Sequence, residues 1–180
     1  MSKSKLRNLI ILTIVVFSFA IITIISIFNQ SNSKVVEGAV RNFPSFSSVD
    51  LVVGDKTITE QVMIGRGHQI VNVWATWCGV CRSEHSYLLS LSQQGVPVIG
   101  LNYRDDMRAA QQYLIDDGNP FSDVIFDPKG QLAIDLGVVG TPETYLVNNE
   151  GMIVKKHIGR LTELVWQKHF SSYFDEERSL

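Results

Sequence analysis

The sequence predicts an α/β domain, a mixed sheet covered by helices on both faces, preceded by one membrane-spanning helix. Three observations predict it. Apolar runs at 69–77 and 96–103 alternate with segments of helical period, the chain closes on a strand-turn-strand pattern at 144–159, and a charge-free apolar stretch precedes everything else. The 180 residues, 45% hydrophobic, suffice for one domain with its own core and a modest appendage. A net charge of −2, from 16 basic and 18 acidic side chains, leaves no electrostatic footprint for nucleic acid.

Leu9 to Phe28 reads LIILTIVVFSFAIITIISIF, the ~20 apolar residues that a helix needs to cross the hydrocarbon core. Lys3, Lys5 and Arg7 precede it and the next basic residue is Lys34, which puts residues 1–8 in the cytoplasm and the rest outside. A cleaved signal has an apolar region of only ~7–15 residues and a small-x-small site, and NQSNS at 29–33 offers none. The expectation is an uncleaved single-pass anchor over 9–28, a linker over 29–42 and a domain over 43–180.

Within that domain, LVVGDKTI (51–58) reads as a hairpin around Gly54-Asp55, an N-terminal extension. QIVNVWATW (69–77) is a strand buried on both faces. From Gly79 to about Gln94, Cys81, Glu84, Leu88 and Leu91 recur at helical spacing. VPVIGLNY (96–103) is a second buried strand. A helix over 105–117 closed by Gly118 and a strand DVIF (123–126) follow as a central αβ insertion. GQLAIDLG (130–137) is a short helix, 144–159 a hairpin, and Leu161 to Phe174 one amphipathic helix.

The only two cysteines stand in WATWCGVCRSEH (74–85). A C-x-x-C directly after a buried strand places its first cysteine at a helix N-terminus, where free N–H groups and the helix dipole favour thiolate. Cys78 is therefore the nucleophile. Cys81, one turn on and facing inward, suits the thiol that resolves a mixed disulfide. A structural bridge across so short a loop would remove little chain entropy, and a zinc site wants a second ligand pair. Copper is the more serious rival, with His85, His157, Met107 or Met152 as further donors, although no spacing forces them together.

With NVWATWC, CRSEH, GLNYRDD, GNPF, LGVVGTPETYLV and a Trp-containing last helix on one chain, the sequence resembles the thioredoxin superfamily. More narrowly it resembles the membrane-anchored thiol:disulfide interchange proteins of cytochrome c biogenesis, the DsbE/CcmG type. The resemblance implies a thioredoxin-like fold, Cys78 as attacking and Cys81 as resolving thiol, and Thr141-Pro142 as a cis-proline turn facing them and open to a substrate strand. Glu84 and Glu143 match acidic residues around the family's active site, for redox tuning and proton relay. Gly79-Val80 stands where the best-known members carry a proline, and glycine lacks its fixed φ.

The resemblance further implies a periplasmic reductant on the inner membrane, without cofactor or metal. Its electrons would come from a membrane reductase of the DsbD/CcdA kind and go to apocytochrome c or a haem-lyase component. A general extracytoplasmic disulfide reductase, a copper-delivery module and a docking subunit are the alternatives.

From the residues alone, Glu84 lies on the inward stripe, where desolvation raises a carboxyl's pKa; the competing reading has it reaching solvent beside Arg82 or Lys129. Trp77 abuts Cys78 as contact surface, and Trp74 packs. His85, Tyr103, Asp105 and Asp106 read as surface or capping groups, His157 as a satisfied, half-buried histidine. No phosphate-binding glycine loop and no Ser-His-Asp set is present.

Overall fold

The computed structural model describes residues 11–23, 34–36 and 40–178. The chain falls into two units, 1–32 and 33–180. In the first, 11–23 form helix α1, whose side chains are exposed. Among the described residues no helix is long and apolar enough to cross a membrane. The remainder of the expected 9–28 span, and residues 1–8, lie outside the described residues.

In the second unit the strands are β1 (Lys34–Val36), β2 (Arg41–Asn42), β3 (Ser47–Val49), β4 (Thr57–Thr59), β5 (Gln69–Trp74), β6 (Val98–Tyr103), β7 (Asp123–Asp127), β8 (Glu143–Val147) and β9 (Met152–Ile158). The helices are α2 (Gly79–Gln93), α3 (Met107–Asp116), α4 (Gln131–Asp135), α5 (Glu163–His169) and α6 (Ser171–Arg178), with a 3-10 turn at Glu60–Met63. The main sheet runs β1-β9-β8-β5-β6-β7, with β2 also on β9. Strands β5, β6 and β7 are parallel, while β8 and β9 are antiparallel additions.

Side-chain alternation divides the core. Ile70, Trp74 and Leu146 pack on one face with Leu88 and Leu91 of α2, Tyr113 and Leu114 of α3, Trp166 of α5, Phe174 of α6 and Phe170 between those two helices. Val71, Val73, Tyr145 and Val147 pack on the other with Leu132 of α4, Ile58 of the β3–β4 hairpin and Met63. Helices cover both faces, as the strand pattern predicts.

Three elements differ from expectation. Leu51 to Val53 is a turn rather than a strand, because Asp50 Oδ1 accepts the N–H groups of Val52 and Val53 at 2.9 and 3.0 Å, an Asx-type turn that outcompetes β-propensity. The hairpin pairs Ser47 with Thr59 instead. The terminal helix is two, broken at Phe170, whose ψ of −41° comes with a φ of −127°. The break seats its fully buried ring parallel to Trp166, centroids 5.9 Å apart. Finally, the tether expected at 29–42 supplies β1 and β2, because β9 would otherwise be an unpaired edge.

Gly100 on β6 has no room for a side chain: an added Cβ would meet the Phe121 ring and Trp74 Nε1 at 2.9 Å. Those rings stack, centroids 5.4 Å apart, directly behind the strand that leads to the cysteines. Gly100→Ala should therefore lower the unfolding free energy by about 1–3 kcal/mol through overpacking, read by urea denaturation. A variant as stable as its parent would contradict this close approach.

Candidate active site

All six residues of β5 are buried, and the strand is paired on both sides, so its C-terminal end is fixed in space. From there the chain reaches α2 through Ala75, Thr76 and Trp77. Asp105 clamps that link: its carboxylate accepts Thr76 N–H at 2.6 Å and Thr76 Oγ1 at 2.7 Å. Asn102 Nδ2 holds the same carboxylate at 3.0 Å. Arg82 Nε donates to Thr76 O at 3.1 Å, closing the link from the helix side. Trp77 is 58% exposed and donates its indole N–H to Arg104 O at 3.0 Å, so the ring stands at the surface in a set orientation.

Cys78 is the N-cap of α2, and its Sγ accepts Cys81 N–H at 3.1 Å. The two sulfurs are joined in a disulfide, which makes this the oxidised state. Burial does not tell them apart, at 5% and 6% exposure. Position does: only Cys78 has a helix-terminal N–H aimed at its sulfur, the arrangement that favours charge there. A Cβ at Gly79 would meet nothing within 4 Å, so packing does not require a glycine there.

Glu84 lies three residues beyond Cys81, which on a helix places their β-carbons about 5–6 Å apart. It is wholly buried, which excludes the reading that paired it with Arg82 or Lys129 in solvent. Asn72 Nδ2 donates to Oε1 at 2.8 Å and Leu161 N–H to Oε2 at 2.6 Å. Burial pushes the carboxyl up to about 7, against the lowering effects of Leu161 N–H, the Asn72 amide and the Arg160 charge. Desolvation wins over two hydrogen bonds. The group can change protonation near neutral pH.

The Thr141–Pro142 bond is cis. Glu143 pairs with Val73 across the antiparallel ladder, so Pro142 comes level with Trp74, at the sheet end from which the cysteine segment emerges. Glu143 itself points to the face opposite Glu84, because it alternates with Thr144, the neighbour of Asn72. It is fully buried and accepts Val139 N–H at 2.8 Å, Tyr145 Oη–H at 2.7 Å and the Lys156 ammonium at 2.9 Å. Glu84 and Glu143 thus do not form one acidic cluster. Glu84 lies behind Cys81, while Glu143 ties down the loop that leads into the cis-proline.

A family model described as Redoxin matches residues 39–172. The thiol:disulfide interchange protein DsbE of Yersinia pestis is 37% identical over 172 residues, 92% of each chain. That of Escherichia coli K12 is 45% identical over 107 residues, 59% of this chain and 58% of that one. The chain belongs to the DsbE-type thiol:disulfide interchange proteins of the Redoxin family. It is a protein disulfide oxidoreductase. Solved structures share its thioredoxin-like fold: a secreted thiol-disulfide isomerase of Corynebacterium glutamicum (TM-score 0.68, 22% identity, 81% of this chain and 93% of that one) and a putative DsbE of Chlorobium tepidum (TM-score 0.60, 23% identity, 77% and 99%).

Around this DsbE-type site the remaining polar residues are accounted for individually. Asp106 caps α3 through Ala109 N–H at 2.9 Å, as its position suggests. Asp105 does not cap α3, whose N-cap is Asp106, but clamps the strand–helix link as described above. Its signal in the sequence was only an acid after a strand, and the partner Thr76 stands 29 positions earlier. Tyr103 is half-buried, its ring 6.4 Å from that of Trp77. His85 is buried, with Nε2 bonded to Gly118 O at 2.9 Å and its ring edge-on to Tyr113. His157 is fully rather than half buried. Among the described residues, no three side chains of His, Cys, Asp or Glu gather as a metal site.

An acid whose folded-state pKa lies above its unfolded value binds more protons when folded, so its contribution to stability is complete below the unfolded pKa and is lost as pH rises through the folded one. For Glu84 that window runs from 4.5 to about 7. Relative to Glu84→Gln, the oxidised wild type should lose about 2–3 kcal/mol of unfolding free energy between pH 4.5 and 7.5. Denaturant titrations of both proteins across that range measure it, and a constant gap would contradict the assigned burial.

Proposed function

We propose that this protein is an extracytoplasmic reductant, anchored by the apolar segment at 9–28, that reduces a disulfide in apocytochrome c or in its haem-lyase partner. The observation that carries this reading is the dithiol site itself: a nucleophile capped by the first turn of α2, with a neutralisable carboxyl buried one turn behind its partner. The charge-free segment and the basic residues before it support the anchor and its orientation. The relatives named DsbE support thiol-disulfide exchange.

In the reducing direction, Cys78 thiolate attacks one sulfur of the client disulfide, forming a mixed disulfide and expelling the other sulfur as thiolate. Cys81 then gives up its proton and attacks Cys78 Sγ. The second client sulfur leaves, and the Cys78–Cys81 disulfide seen here is the product. Two electrons pass to the client, whose thiolates take protons. Glu84, in its carboxylate form, receives the Cys81 proton. Its negative charge in a site of low polarity also disfavours thiolate at position 81 until attack, which tunes the potential, and ~30 mV corresponds to ~1.4 kcal/mol for this couple.

The client is gripped at the surface around Cys78. Trp77 and Val80 on either side of Cys78, and Val139 on the loop that leads to the cis-proline, are exposed apolar side chains, and exposed apolar surface of this kind supports a protein contact. Thr141, half-buried and directly before the cis-proline, offers main-chain groups to an extended segment. The oxidised product is recharged by a membrane dithiol donor of the DsbD/CcdA kind.

Cys81→Ser should stall the exchange at the mixed disulfide. Expressed in cells that mature c-type cytochromes, this variant should carry an apocytochrome c or haem-lyase component as a covalent adduct released by dithiothreitol, and holocytochrome c should fall at least about tenfold, as expected when covalent turnover is blocked. Capture of many unrelated exported proteins would instead support a general reductase. Full cytochrome maturation without Cys78 would sink the redox reading.

A further inference from the structure

Beneath α2 the sheet carries a buried polar row. Asn72 on β5, Thr144 on β8 and His157 on β9 are register partners across three adjacent strands, so their side chains share the face that packs against α2 and α5. All three are fully buried. Asn72 Nδ2 reaches both Glu84 Oε1 and Thr144 Oγ1, at 2.8 and 3.2 Å. The exchange chemistry described above uses Glu84, yet it assigns nothing to His157.

His157 Nε2 lies 3.1 Å from the carbonyl of Arg160, and Nδ1 has no partner. A carbonyl can only accept, so Nε2 carries the hydrogen and the buried ring is the neutral Nε2–H tautomer. Burial, first, and the neighbouring His169 hold its pKa below the usual value, against the Arg160 carbonyl. The residue it grips begins the peptide unit whose other end is Leu161 N–H, the donor to Glu84 Oε2 at 2.6 Å. The same turn is fastened by Gly159 N–H to Pro142 O at 2.9 Å and by the Arg160 guanidinium to Ser83 O at 2.8 Å.

We propose that His157 is a positioning residue for Glu84: by holding the Arg160 carbonyl it fixes the peptide plane that aims Leu161 N–H at the carboxylate. Its influence on the dithiol is indirect and rests on the role given to Glu84 above. The other titratable or charged groups around that carboxyl are Cys81 on the same helix, Arg160 on the turn and Tyr113 on α3. None of them touches His157 through a side-chain hydrogen bond in the structure. Without the imidazole, the 160–161 peptide can rotate, Glu84 loses a donor to its charged form, and its titration moves to higher pH.

The test follows the Glu84 carboxyl by NMR in the full-length protein as pH is varied, with His157→Phe and His157→Gln beside the wild type. Phenylalanine keeps volume against Phe170 but has no donor, whereas the glutamine amide can reach the same carbonyl. The midpoint should rise by about one pH unit in His157→Phe, the scale of one hydrogen bond to a charged group, and return toward the wild-type value in His157→Gln. An unmoved or lowered midpoint in a folded His157→Phe protein overturns the proposal. Should that variant fail to fold, the imidazole nitrogen shifts of the wild type decide, because Nε2–H supports the proposal and Nδ1–H contradicts it. Redox potential against pH is measured in parallel. If the Glu84 midpoint moves while the potential's pH profile does not, His157 positions Glu84 as proposed and it is the redox role of Glu84 that fails.

Discussion

Cys81 N–H points at Cys78 Sγ from 3.1 Å, and that contact exists only where β5 delivers the chain to the first turn of α2 at one angle. Much of the domain serves to hold that angle. The strand is paired on both sides and buried on both faces, so its last residue cannot drift. Between the strand and the N-cap Cys78 lie three residues, which would be free to rotate were Thr76 not held by Asp105 and Arg82. Ala75 O accepts Cys78 N–H at 3.1 Å, so the sulfur is presented on a turn closed by its own backbone. A charge at Cys78 gains up to about 1–2 kcal/mol from such a helix terminus, depending on exposure, a benefit that a loose link would average away.

Glu84 makes the two sulfurs unequal from the other side. In the exchange proposed above, a wholly buried carboxyl one turn beyond Cys81 opposes charge on that thiol while it is itself ionised, and accepts a proton when the thiol must become a nucleophile. Both tasks need a group near its own midpoint at neutral pH. Burial alone would drive the midpoint higher, and the Asn72 amide, the Leu161 N–H and the Arg160 charge pull it back to about 7. The balance is geometric, because it depends on donors placed by β5 and by the turn after β9, two elements far apart in sequence.

What was legible in the sequence was what repeats or sits next to itself. The six buried residues of β5, the Cys81, Glu84, Leu88, Leu91 stripe of α2 and the β8–β9 hairpin each follow from period and turn spacing. The inward position of Glu84 follows from that stripe as well. Asp50 was not legible, because one side-chain oxygen converts a β-prone Leu-Val-Val run into a turn. The break at Phe170 was not legible either, since Trp166, Phe170 and Phe174 keep a perfect helical interval and only packing against His157 and Trp166 shows why the backbone yields. Strand parity separates Glu84 from Glu143, and it could be read only once the β5–β8 register was known.

The same parity explains why polar residues can line the underside of α2 at all. A slip of one residue in the β5–β8 register would carry Thr144 to the opposite face and strand Asn72 beneath the helix. The row is not optimised for stability, since Asn72 Oδ1 and His157 Nδ1 lack partners, and buried polar atoms left unpaired cost about 1–3 kcal/mol each. An apolar row would pack against Leu88 and Trp166 without that penalty, but it would leave Glu84 with no amide from the sheet and no fixed turn above it. A carboxyl so abandoned would stay protonated well above neutral pH and could take no proton from Cys81. The stability forgone in the sheet is therefore the physical condition for the proton acceptor proposed behind the dithiol.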